Sequence, residues 1–198
     1  IWCKESKRAA IIDPSVEPLV IFDKINIENL ILKKIIITHS HHDHFAFLDD
    51  FLFRFSNLKI FGYKLPVIDF SENFIGISDR EIINIGKNIL TAIHTPGHYP
   101  DSMCFWSADK ACLFTGDTMF VGRTGRTISR GSSIKQLYDS IYNKIYKLPR
   151  ITRIYPGHHY GYSRSCTLIE NQQYSPFFQC KTESEFISVM DNYERNRK

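Results

Sequence analysis

The stretch THSHHDH, residues 38 to 44, packs four histidines and one aspartate into seven positions. Imidazole and carboxylate together, without thiolate, form the ligand set of catalytic zinc, and of iron and manganese, rather than of structural zinc. Within the stretch, His39, His41, Asp43 and His44 make the pattern H-x-H-x-D-H. With only 8 histidines in the chain, such a pattern arises by chance in roughly one sequence in a thousand. Three further stretches end on a residue of the same kind: TPGH on His98, FTGD on Asp117 and YPGH on His158. Each follows an apolar run, and two carry a Pro-Gly turn that can aim the next side chain.

These seven donors exceed the four that a structural zinc takes, so two ions are expected. His39, His41 and His98 are expected to hold the first, and Asp43, His44 and His158 the second, with Asp117 between them. Each ion then keeps an open position. In a dinuclear site with ions about 3.5 to 4 Å apart, a shared water can lose its proton near pH 7 and become the nucleophile. Asp43 and Asp117 are the carboxylates assigned to the catalytic step, and zinc is expected, with iron or manganese as alternatives. A lone histidine is more often a hydrogen-bonded structural group than a ligand. His42 and His94 are read so, as supporting or surface residues, with His42 pointing away from the ions.

These side chains need strand ends to converge on. LKKIIITH (32 to 39) reads as a central strand, because Ile35, Ile36 and Ile37 run too continuously to face water. RAAIID (8 to 13) reads as a strand stopped by Pro14, with Ser15 the N-cap of a helix to about Leu30. Leu48, Phe51, Leu52 and Phe55 repeat at helical spacing within 45 to 55. LKIFG, REIINI, NILTAIHT, SMCFWS and ACLFTGD read as strands between Gly, Pro, Asn and Asp turns. From Ser132, an apolar stripe of Ile134, Leu137, Tyr138, Ile141, Ile145 and Leu148 predicts one long helix that Pro149 ends. TRIYPGH (152 to 158) is read as the last strand, and 183 to 193 as a closing helix.

Composition sets the class. At 198 residues, 43% hydrophobic and 23% charged, the chain is expected to form a single globular domain with one sizeable core. The charge of +4 comes from scattered Lys and Arg with no basic block, so no nucleic-acid partner is expected. Five cysteines without C-x-x-C spacing argue for a reducing, cytoplasmic setting. No apolar run approaches the ~18 residues of a membrane helix, so no membrane partner is expected. The chain opens at Ile1 rather than Met, which leaves room for an N-terminal segment ahead of it. The patterns G-x-S-x-G, G-x-x-x-x-G-K-[ST], H-E-x-x-H and G-x-G-x-x-G are all absent, leaving no sign of a protein nucleophile or a nucleotide.

Through THSHHDH, HTPGH, FTGD and YPGH in that order, the sequence resembles the metallo-β-lactamase superfamily over nearly its whole length from AAIIDP onward. The resemblance implies an α/β fold, an αββα sandwich of two mixed β-sheets flanked by helices, with the metals at one edge. LFTGDTMFVGRTGRT and YPGHHYG resemble hydroxyacylglutathione hydrolases (glyoxalase II) and their shorter relatives. That likeness implies a metallo-hydrolase acting on a small anionic thioester, with Arg126 and Tyr160 contacting the glutathione moiety and Arg123 and Arg130 widening the rim. The sequence departs from the family at Phe45 and Ala46, where two glycines are usual, and at His159, where an acidic residue is usual. A persulfide dioxygenase is the alternative the resemblance leaves open, with one iron on His39, His98 and Asp117. Ile128 and Ser129, after GRT, and Thr124, in place of a usual Cys, depart from that group. A non-catalytic metal-binding protein is the third reading.

Overall fold

A computed structural model describes residues 1–70 and 73–196 of the chain. Its first sheet takes strands β1 (Arg8–Ile12), β2 (Ile31–Ile36), β3 (Lys59–Tyr63) and β4 (Phe74–Ile77) in that order, all parallel. The second holds β5 (Ile82–Ile85), β6 (Asn88–His94), β7 (Met103–Ser107), β8 (Cys112–Gly116), β9 (Arg153–Pro156) and β10 (Cys166–Thr167) in sequential order. Its neighbours are antiparallel except β8 and β9, which run parallel. The second sheet is therefore mixed, as expected, while the first is parallel throughout.

Period-two alternation sorts the side chains into three apolar layers. In β2 and just beyond it, Ile35 and Ile37 face helices α1 (Pro18–Ile27) and α2 (Leu48–Arg54), packing with Ile25, Phe51, Leu58 and Ile60. Ile36 between them faces the other sheet, among Ala10, Ile83, Leu90, Met103 and Phe105. That two-sided burial explains the unbroken Ile-Ile-Ile run. The outer face of the second sheet, with Ile93, Cys104, Leu113 and Ile154, packs on α3 (Ile134–Tyr138), α4 (Leu168–Tyr174) and α5 (Glu183–Asn196). Helix, sheet, sheet, helix is the resulting order of layers.

Several element readings need correction. Helix α1 begins at Pro18 with Glu17 as its cap, not Ser15, because Pro at the first helical position lacks only an N–H that had no partner to lose. Ser15 instead donates its hydroxyl to the Asp13 carbonyl at 3.3 Å. Within 45 to 55 only Leu48–Arg54 is helical, and a separate 3-10 turn at His42–His44 precedes it. The long helix keeps its extent but changes its hydrogen bonding, from α at Ile134–Tyr138 to π at Asp139–Lys144 and 3-10 at Ile145–Lys147. YPGH does not end the strands, since β10 and α4 follow it. All five cysteines are free, and no helix among the described residues is long and apolar enough to cross a membrane.

Candidate metal centre

Each of the seven donors leaves the carboxyl end of a strand. His39 and His41 follow β2, and the 3-10 turn after them carries Asp43 and His44. His98 follows β6 through a Pro-Gly turn, Asp117 follows β8 directly, and His158 follows β9 through Gly157. The structure brings them together in three overlapping groups: His39, His41 and His98; His39, His44 and Asp117; Asp43, His44 and His158. Within each group the donor atoms lie within 4.8 Å of one another. His158 Nε2 is 3.1 Å from Asp43 Oδ2 and 3.7 Å from Asp117 Oδ2, and His98 Nε2 is also 3.7 Å from Asp117 Oδ2.

Outer hydrogen bonds fix which nitrogen of each ring faces inward. His44 Nδ1 donates to Asp13 Oδ2 at 2.7 Å, and His98 Nδ1 donates to the Arg126 carbonyl at 2.7 Å, so a lone pair on each Nε2 points to the centre when the ring is neutral. Thr38 Oγ1 donates to Asp13 Oδ2 at 2.7 Å and so accepts from His39 Nδ1 at 3.1 Å, which turns His39 Nε2 inward as well. Asp13 is thus an anchor for two ligands, and its Oδ1 also accepts from the Thr38 N–H. His41 is reversed: its Nδ1 meets His39 Nε2 at 2.9 Å and His98 Nε2 at 3.0 Å.

These donors fit a metal. One proton on His41 Nδ1 cannot serve both of its close nitrogen neighbours, whereas a cation among the three satisfies every lone pair. His44 Nε2 and Asp117 Oδ1 are buried without a hydrogen-bond partner; they stand 3.2 Å apart but out of line. Burial, with the neighbouring imidazoles, holds His39 well below the ordinary imidazole range. Burial also lowers His41 and His98, against the partial pull of Asp117. His44 is the exception: burial would lower it too, but the carboxylates of Asp117 and Asp13 raise it to about 10. Burial pushes Asp117 up, yet the adjacent His44 imidazole, with His98 and His158 further off, holds it below the usual carboxylate value.

Close approach at two glycines shapes the cage. A Cβ on Gly157 would stand 2.6 Å from His44 Cε1 and 2.7 Å from Asp117 Oδ1. One on Gly125 would meet the Asp117 carbonyl oxygen at 2.1 Å and the His98 ring at 2.8 Å. Above the cage opens a cleft of about 300 Å³ whose walls include Phe120, Arg123, Arg126, Ser129, Tyr160 and Tyr193. Arg126 and Tyr160 both reach it, while Arg130 is exposed elsewhere. His42 belongs to none of the three donor groups; it lies on the cleft edge against Phe45, ring centres 5.4 Å apart. His94 is a packing group, stacked on Tyr63 at 3.8 Å with its Nε2 against the Pro100 carbonyl at 3.0 Å.

Sequence reasoning missed two supports. Asp13 had a signal, since it ends an apolar strand just as Asp117 does. Asp101 had none: buried, it accepts from the N–H and hydroxyl of Ser40, 61 positions away, and from the Val67 N–H at 3.0 Å, fixing the backbone between His39 and His41.

A family model of the metallo-β-lactamase superfamily matches residues 1–158, and the chain belongs to that superfamily. Family and donor set together define it as a metal-dependent hydrolase of that class. It is 31% identical over 186 residues to the probable polyketide biosynthesis zinc-dependent hydrolase PksB of Bacillus subtilis, covering 92% of this chain and 81% of that one. It is 35% identical over 175 residues to the probable hydroxyacylglutathione hydrolase glo2 of Schizosaccharomyces pombe, covering 83% of this chain but only 64% of that relative's length. Among solved structures, ETHE1 from Myxococcus xanthus superposes with a TM-score of 0.86 at 27% identity, over 100% of this chain and 85% of that one.

Proposed function

We propose that the chain hydrolyses a thioester of the hydroxyacylglutathione type at a centre of two divalent ions, zinc first among the candidates. The observation that carries this reading is the cage of seven inward-facing donors at the floor of an arginine-walled cleft. Bound there, the ions supply Lewis acidity toward a thioester carbonyl and lower the pKa of water toward neutrality. His39, His41 and His98 would hold one ion and Asp43, His44 and His158 the other, with Asp117 a ligand available to either. Asp13 and Thr38 keep the imidazoles in the ligating tautomer. Arg126, exposed at the cleft, and Tyr160, about half exposed, take the thiol arm. The zinc-dependent and hydroxyacylglutathione hydrolase relatives support the reading.

The test is thiol release from a hydroxyacylglutathione by wild type and Asp117→Asn. Partners outside the ligand shell already cost roughly 10- to 100-fold, so losing a ligand carboxylate should cost kcat at least about a hundredfold while the fold survives. Retained turnover at equal metal content sinks the role of Asp117. A second reading, a dioxygenase with one iron on His39, His98 and Asp117, draws support from the full-length likeness to ETHE1. Oxygen uptake with a glutathione persulfide, and no thioester cleavage, would favour it.

A further inference from the structure

Two arginines wall the cleft, and they are held differently. Arg126 has an exposed side chain, and it is its backbone carbonyl that His98 uses. Arg123 is half-buried, with its guanidinium carbon 4.4 Å from the centre of the Tyr160 ring. Tyr160 stacks in turn on His158, ring centres 4.9 Å apart at 22°, and meets Phe120 edge-on at 5.1 Å. From the other side, Arg123 Nη1 donates to the Tyr193 hydroxyl of α5 at 3.3 Å. A second bond steadies α5 against this loop: Glu194 Oε1 accepts from the Thr127 N–H at 2.8 Å and hydroxyl at 2.9 Å.

Arg123 nevertheless has unspent capacity. Its side chain lines the cleft above the donors, and no carboxylate among the described residues lies within ion-pair distance of it. A guanidinium fixed between an aromatic face and a hydroxyl, with its charge unmatched, is prearranged for an oxyanion, because little rotamer freedom remains to be lost on binding. The Tyr160 ring separates it from His158, so the anion it meets lies away from the bond being broken.

We propose that Arg123 is a specificity-determining residue that binds an oxyanion, carboxylate or phosphate, on the thiol arm of the substrate, with Tyr160 and Tyr193 as its positioning residues. Only the identification of that arm rests on the thioesterase reading. A contact of this kind is present in ground and transition states alike and therefore acts on KM.

The test compares wild type, Arg123→Ala, Arg123→Lys and Tyr193→Phe on one acyl group carried by glutathione, by coenzyme A and by neutral N-acetylcysteamine. Arg123→Ala should lower kcat/KM roughly ten- to a hundredfold on a charged thioester, through KM, and leave the neutral one unchanged. Loss on the glutathione thioester marks a carboxylate, and loss on the coenzyme A thioester marks a phosphate. Arg123→Lys should recover part of the loss, and Tyr193→Phe should raise KM on the charged substrate with kcat unmoved. Equal losses on charged and neutral thioesters, or none, overturn the proposal. Calorimetric binding of the S-methyl thioethers of glutathione and coenzyme A needs no turnover. If wild type cleaves no thioester yet Arg123→Ala weakens a thioether, the thioesterase reading falls and Arg123 stands. Thioethers that bind both proteins equally, or neither, overturn Arg123.

Discussion

The imidazole of His44 sits between two carboxylates, Asp13 at its Nδ1 and Asp117 at its Nε2. Without metal they raise its pKa to about 10, so near pH 7.5 the ring is protonated. An ion can take Nε2 only after that proton leaves, whereas His39, His41 and His98, held low by burial, are already neutral. Metal uptake by the apoprotein near pH 7.5 should therefore release about one proton from His44. Titration calorimetry in buffers of different ionisation enthalpy reads the count. Asp13→Asn removes one of the carboxylates holding the proton, so it should release fewer protons and bind metal more weakly. A wild-type count of zero would contradict this electrostatic picture. The convergence of these side chains was legible in the sequence because each lies in or closes a short local motif. Asp101 was not, because its partners are distant in sequence and nothing in its own neighbourhood distinguishes it from a turn aspartate.

Strand ends do the positioning, and the turns after them leave no spare volume. At the end of β9, Gly157→Ala places a methyl inside normal contact with both His44 and Asp117. Relaxing that clash costs about 1–3 kcal/mol, and the displacement falls on two ligands at once. The variant should melt at a lower temperature and lose metal to a chelator at least about tenfold more readily; a wild-type melt and chelator profile would show that the turn has room. The strands leading to donors could be read because their apolar runs are buried on one or both faces. β4 was missed: FIGI is short, carries a glycine, and leaves Ile75 partly exposed, so no alternation marks it. Helix α4 was missed although Thr167 and Glu170 form a capping box, a T-x-x-E signal that is local and readable. The π segment after α3 has no such signal, since the same apolar stripe serves an α or a π backbone.

Across the whole molecule the cage straddles both sheets. His39, His41, Asp43 and His44 come from the first, and His98, Asp117 and His158 from the second. The Met103 N–H bonds the Thr38 carbonyl at 2.7 Å, tying the sheets together beside the ligands. Metal bound across that seam would stabilise the layer packing by mass action. The layered order came from the family resemblance that the motifs carry, while the parallel pairing of the entire first sheet was not legible, because burial alone does not set strand direction. The most direct measurement is the metal content of the saturated protein after gel filtration, determined by inductively coupled plasma mass spectrometry. The seven-donor cage predicts about two ions per chain; a value that saturates at one would contradict the dinuclear centre.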